Sequence, residues 1–276
     1  MGRTGAIAAI VAIVAVVACG GPQEASGPLS YSSTARRNYD KGMRELRTEN
    51  CLEAVRYFEH TKRRFPFSRY AALSELRIAD CDYLTQKYVE AIAGYRQFIR
   101  FHPTHQDVAY ATFRIALSNY RQIPTSWFII PPPHERDLAS ARDSLRDLRR
   151  YLSRYPRHRY SGWAKKLEGK CLRLLAQHEM YVARFYLERG EYQGAIGRLD
   201  GIFRNYRGSG LEAEAMLLQA RTYLDMRRND EARQTLERLV ETFPRSTARP
   251  AAERYLRFLR DGGAARSPGP REGGDG

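Results

Sequence analysis

Four cysteines and six histidines carry the strongest intrinsic chemistry in this chain, and their spacing narrows what that chemistry can be. Cys19 closes an uncharged apolar run, Ala6 to Ala18, that follows a single positive charge at Arg3. The run is shorter than the ~20 residues a bilayer span requires, and the Gly-, Pro- and Ser-rich stretch Gly20 to Ser33 could not continue it as a helix. Residues 1–18 therefore read as a secretory signal. Cys51, Cys81 and Cys171 are odd in number and lie inside apolar-periodic segments, so an oxidising compartment cannot pair them all. They read as small core residues, with a Cys51–Cys81 bridge as the alternative. His102 and His105 stand three apart, but around Pro103 at a helix end, without paired cysteines or a third ligand nearby, so no metal site is expected. The chain has no Gly-rich phosphate loop, nucleophile elbow or zincin helix motif. Acidic residues alternate with arginine, as in Arg142-Asp143 and Arg146-Asp147, in the manner of solvated helix surfaces. The expectation is a protein with no catalytic residues and no cofactor.

The segment Val16-Val17-Ala18-Cys19-Gly20 resembles the lipobox of bacterial lipoproteins. That resemblance implies cleavage before Cys19, a diacylglycerol on its thiol and an N-acyl chain on its amine. At ~0.8 kcal/mol per buried methylene, several chains make a lasting anchor. Residue 20 is Gly rather than the Asp that retains enteric lipoproteins at the inner membrane, which implies the periplasmic face of the outer membrane. The net charge is +15. In the cytoplasm such a charge would point to nucleic acid, whereas an exported chain meets acidic protein surfaces or anionic headgroups, so no nucleic-acid partner is expected. A merely solvated arginine-rich surface is the alternative reading.

These residues must be positioned by something, and the chain repeats itself. Gly42, Ala54, Phe58 and Pro66 recur 37 residues later as Ala79, Ala91, Tyr95 and Pro103. The same internal spacing returns in Ala220, Ala232, Leu236 and Pro244, and in Ala183, Ala195 and Leu199, where Arg207 stands in place of the proline. A further unit, Ala116 to Pro156, is longer by an insertion at about 123–136. Small residues let two antiparallel helices approach, an aromatic or Leu one turn later fills the gap between pairs, and Pro ends the second helix. The pattern resembles the tetratricopeptide repeat. It predicts an all-α fold, a right-handed superhelix of five helix pairs over 35–258, after a lipidated flexible linker at 19–34 and before a disordered tail at 259–276. Tyr160 to Arg189 contains no breaker except Gly162 and Gly169 and predicts one unusually long helix.

Arg64-Phe65-Pro66-Phe67 with Tyr70-Ala71, Phe98-Ile99-Arg100 with Pro103-Thr104-His105, and the block Glu179 to Asp200 are similar to the BamD (ComL/YfiO) family of outer-membrane β-barrel assembly lipoproteins. The resemblance spans essentially the whole mature chain. It implies a subunit of the BAM complex that binds the last POTRA domain of BamA through its C-terminal repeats, meets other BAM lipoproteins, and receives unfolded outer-membrane β-barrel proteins on its N-terminal repeats. By position in the fourth repeat, Gly190…Ala195-Ile196-Gly197-Arg198 makes Arg198 the implied BamA contact, where a fork-shaped, permanently charged donor suits a carboxylate. Arg207 and the basic, Gly-rich tail depart from the family pattern.

The stripe Tyr110, Phe113, Leu117 and Tyr120 falls on one face of a first helix, and Tyr39 and Tyr83 occupy equivalent positions in earlier repeats. These rings read as lining a groove for an extended peptide, or as packing between repeats. In the insertion, Trp127 and Phe128 open a run ending in Pro131-Pro132-Pro133, too apolar for an idle loop, which either folds into the groove or meets a partner. A tetratricopeptide lipoprotein of another envelope machine, a type IV pilus pilotin or a Tol-Pal-associated coordinator, is the alternative function.

Overall fold

The computed structural model describes residues 28–124, 134 and 137–261. Among them run eleven helices: α1 (Pro28–Arg47), α2 (Cys51–Arg64), α3 (Arg69–Leu84), α4 (Tyr88–Phe101), α5 (Val108–Arg121), α6 (Ala139–Arg154), α7 (Ser161–Glu188), α8 (Tyr192–Asn205), α9 (Glu212–Asp225), α10 (Asn229–Thr242) and α11 (Arg249–Arg260). Each packs chiefly on the helix before and the helix after it, so α1–α10 form five pairs in series. The described chain is all-α. Cys19, the signal segment and the tail beyond Asp261 lie outside the described residues, as do Trp127 and Phe128.

The repeat anchors occupy the seams. Ala54, Phe58, Ala91, Tyr95, Ala183, Ala195, Leu199, Ala220, Ala232 and Leu236 are all fully buried. The small residues allow close approach in two ways, small on small at Gly94 and small on aromatic at Gly42. A Cβ at Gly42 would lie 2.6 Å from the ring of Phe58, and one at Gly94 would lie 2.9 Å from the Cβ of Ala79. The space left by Gly42 is therefore filled by the aromatic anchor of its own pair.

Each second helix stops in the same way. The residues Phe65, His102, Tyr155 and Phe243 cap α2, α4, α6 and α10, and in each the next residue is the expected proline. Tyr206 caps α8 with φ −123° and ψ 32° although Arg207 follows it. Gly208 (φ 87°) and Gly210 (φ 78°) turn the chain there instead. The opposite turns, between first and second helices, carry a left-handed residue at Glu49 (φ 59°), Gln86 (φ 63°), Gly190 (φ 75°) and Arg227 (φ 60°). Around each, the two backbone bonds of a Schellman motif close the helix, as in Asn50 N–H to Glu45 O and Glu49 N–H to Leu46 O.

Two boundaries differ from the sequence expectation. Residues 28–34, expected as the end of the linker, are helical, and Tyr31 packs edge-on to Phe65 at 5.0 Å, an apolar anchor hidden in a Ser-rich segment. Beyond the fifth pair, α11 is an unpaired helix that buries Ala252, Tyr255 and Leu259 against α9 and α10, covering the face that a further repeat would take. The long helix is present as α7, 28 residues. Its first half joins the core of α5 and α6 through Ala164, Leu167, Cys171 and Leu175. Its second half joins the core of α8 and α9 through Ala176, Met180 and Ala183.

Candidate functional site

Helices α1, α3, α4 and α5 bring Tyr39, Tyr83, Tyr95 and Tyr110 together around a buried carboxylate and its arginines. Asp80, 5% exposed, sits on α3. Its Oδ1 accepts the hydroxyls of Tyr95 and Tyr110, each at 2.7 Å, and its Oδ2 accepts Nη1 of Arg77 at 2.5 Å. Arg114 Nε lies 3.5 Å from Oδ1 and donates to the Tyr95 hydroxyl at 2.9 Å. Burial first, and the Asp80 charge second, push the Tyr95 and Tyr110 phenols above their ordinary range, so both remain neutral donors. Burial opposes the charge on Arg77, yet Asp80 and the Tyr39 hydroxyl hold its pKa above the usual value.

The expected groove residues divide by what they touch. Phe113, 1% exposed, stacks on Tyr160 at 4.9 Å and 8°, with Tyr151 and Trp163 at 5.4 and 5.2 Å. Leu117 is equally buried, and Tyr120 packs at the margin of the same core. Tyr39 is wedged between Phe58 and Tyr70, its hydroxyl accepting from Arg77 Nε at 3.3 Å. These rings pack between repeats. Tyr83 and Tyr110 are only half-buried: the Arg114 guanidinium lies 3.7 Å over the Tyr83 ring, and Arg121 Nε donates to the Tyr83 hydroxyl at 3.0 Å. The half-exposed Trp163 extends this face onto α7.

Asp80, Arg77, Arg114 and Trp163 did not stand out in the sequence. One signal was there: Arg77 and Arg114 are separated by the repeat length of 37, so the same arginine recurs in a first helix among positions that are otherwise buried.

Arg198 lies on a second face, made by α7 and α8. Its Nη1 is 3.4 Å from Glu179 Oε2, and the side chains are 43% and 15% exposed. The Tyr186 ring is 6.0 Å from the guanidinium. Gly194, Gly197, Gly201, Arg204 and Asn205 line the open recess around it. A Cβ at Gly197 would meet nothing within 4 Å, so this surface is open to an approaching chain.

The histidines are absorbed locally. His102 Nε2 is 3.1 Å from Glu75, and His105 Nδ1 accepts the Asp107 N–H at 3.1 Å. Among the described residues no group of three or more His, Cys, Asp or Glu is placed to hold a metal ion, and no helix is long and apolar enough to cross a membrane. In the insertion, the His134 carbonyl accepts from His178 Nδ1 at 2.6 Å, which ties that point to α7.

Helix pairs stacked in series, closed by a single helix and carrying two arginine-bearing faces, define a helical-repeat scaffold of the tetratricopeptide type. Among solved structures the chain is similar to the TPR2AB-domain:pHSP90 complex of yeast Sti1, at 10% identity and a TM-score of 0.42 over 83% of this chain and 84% of that one. The chain belongs to the YfiO family, described as outer membrane lipoprotein, whose model matches residues 32–237. It is similar to the outer membrane protein assembly factor BamD of Caulobacter vibrioides, 29% identical over 206 residues, which cover 75% of this chain and 65%, just under two thirds, of that relative. The BamD of Neisseria gonorrhoeae is 27% identical over 228 residues, covering 82% of this chain and 85% of its own length. That of Xylella fastidiosa is 27% identical over 206 residues, covering 72% and 70%.

Proposed function

We propose that this chain is a lipid-anchored scaffold subunit of the outer-membrane β-barrel assembly machinery. The observation that carries this is the continuous family match over 32–237, which runs through all four seams joining the five pairs rather than through one repeat. Anchored through acylated Cys19 on the periplasmic face of the outer membrane, it binds BamA through the fourth and fifth pairs, with Arg198 at the contact. Unfolded barrel proteins are received on the face of the first helices of pairs one to three. Its work is positioning by binding, without covalent chemistry or cofactor.

Arg198 supports the first contact physically. Its bond to Glu179 is long and half in solvent, so a partner carboxylate can recruit the guanidinium at little expense. Gly197 beside it leaves open the space that a side chain would fill, so a partner backbone can come close. Tyr83, Tyr110 and Trp163 give the other face aromatic area with polar edges, suited to extended apolar segments.

The test is a pull-down of the tagged, membrane-anchored protein from detergent-solubilised envelopes, wild type against Arg198→Glu, with retained partners identified by mass. BamA recovered by wild type and lost with the reversed charge is the expected result. Recovery of pilus or Tol components in place of BamA would assign the scaffold to a different envelope machine.

A further inference from the structure

Cys51 lies in the first turn of α2 and Cys81 in the last turn of α3. These consecutive helices pack against each other in opposite directions, so the start of one faces the end of the next. Both side chains are buried, 7% and 2% exposed, in one apolar cluster with Ala54, Phe58 and Tyr70. Both are free thiols in this structure, and they share that cluster across the α2–α3 seam. Cys171 is in a different cluster, where its Sγ donates to Ser144 Oγ at 3.8 Å. Neither Cys51 nor Cys81 belongs to the two binding faces, and nothing in the family-level reading uses them.

We infer that Cys51 and Cys81 form the single disulfide of the exported protein, clamping the second helix of pair one to the first helix of pair two. The inference rests on the proposed export to an oxidising compartment. The oxidant is the disulfide of a thiol–disulfide oxidoreductase. One cysteine thiolate attacks it to give a mixed disulfide, and the second displaces the oxidoreductase sulfur. The S–S bond of Cys51 and Cys81 forms as that of the oxidant breaks, and the two electrons and two protons lost by the chain's thiols end in the oxidant's new dithiol.

Position explains why such a bond is useful here. In a stack of repeats each seam is held only by its neighbours, and the ends open first. The bond ties the terminal pair to the second across a loop of about 30 residues, removing freedom mainly from the unfolded chain. Burial, followed by the proximity of Cys51, pushes the Cys81 thiol up, so the pair exchanges slowly once the cluster has closed. Oxidation therefore belongs to the newly exported chain, before α2 and α3 dock.

The full-length lipidated protein is extracted from envelopes, alkylated without reductant and mapped by mass. The expected product is a Cys51–Cys81 linked peptide in molecules that carry acylated Cys19, with Cys171 as a thiol. Alkylated Cys51 and Cys81 in those same acylated molecules would overturn the disulfide and leave the export reading standing. A chain whose Cys19 bears no lipid would sink the export reading itself, and the disulfide with it. Melting the full chain gives a second readout. Cys51→Ala should melt roughly 5–10 °C below wild type, and the gap should narrow when both proteins are reduced while unfolded and then refolded and melted in reductant. A gap that is unchanged by reductant reports only the lost packing of the side chain and rejects the bond.

Discussion

The two arginine-bearing faces use the same side chain under opposite conditions. Around Asp80, the side chains of Arg77 and Arg114 are 21% and 15% exposed and are fixed by a carboxylate, two phenol hydroxyls and an aromatic face. Around Glu179, Arg198 is 43% exposed and its ion pair is long. Desolvation magnifies both the attraction between charges and the penalty for leaving one unpaired, so the first arrangement holds repeats together. Water screens the second, which contributes little to folding and stays available to another protein. The lesson is that an arginine's role in a repeat array is decided by how many of its donors the fold already uses.

The most severe test of this contrast is Asp80→Ala, which leaves two partly buried guanidiniums without their carboxylate. It should destabilise the protein by about 3 kcal/mol, seen as a lower urea midpoint with an unchanged slope. A loss below ~1 kcal/mol would mean that the face is as dispensable to folding as the Arg198 surface. Tyr110→Phe removes one donor to the same carboxylate and should cost about 1.5 kcal/mol by the same measurement. Arg198→Ala should shift stability by less than ~1 kcal/mol while abolishing BamA recovery, which separates binding from folding at a single position. Smallest is Arg227→Gly, which relieves an L-residue from a left-handed turn that repeat four already builds with Gly190; a gain of roughly 0.5–1 kcal/mol in thermal melts is expected.

Much of the fold was legible because it is written in apolar spacing. The displaced anchors from Gly42 and Ala79 onward located the helix pairs, and the absence of breakers between Tyr160 and Arg189 gave α7. Less visible were features in which polar residues do structural work. Asp80, Arg77 and Arg114 look like ordinary surface charge along the chain, and only the third dimension turns them inward. Glu49, Gln86 and Arg227 hold left-handed turns without the glycine that announces such turns in sequence. Among the aromatic candidates, spacing identified the shared face but could not separate Phe113, sealed beneath Tyr160, from Tyr83 and Tyr110 at its edge. A Cys51–Cys81 pairing was open in the sequence only as an alternative, and the packing of α2 on α3 is what places both in one buried cluster.

One consequence follows from the length of α7. A 28-residue helix is about 42 Å long, and this one is built into two separate cores, one toward α5 and α6 and one toward α8 and α9. The groove face begins at its N-terminal end, where Tyr160 and Trp163 lie, and Glu179, the partner of Arg198, stands more than four turns further along the same rod. A helix clamped along its length resists bending far better than two short helices joined by a turn. α7 therefore acts as a gauge bar: it sets a fixed interval between the aromatic face at one end and the Arg198 face at the other, and under the proposed function that interval would fix the spacing between client and machinery.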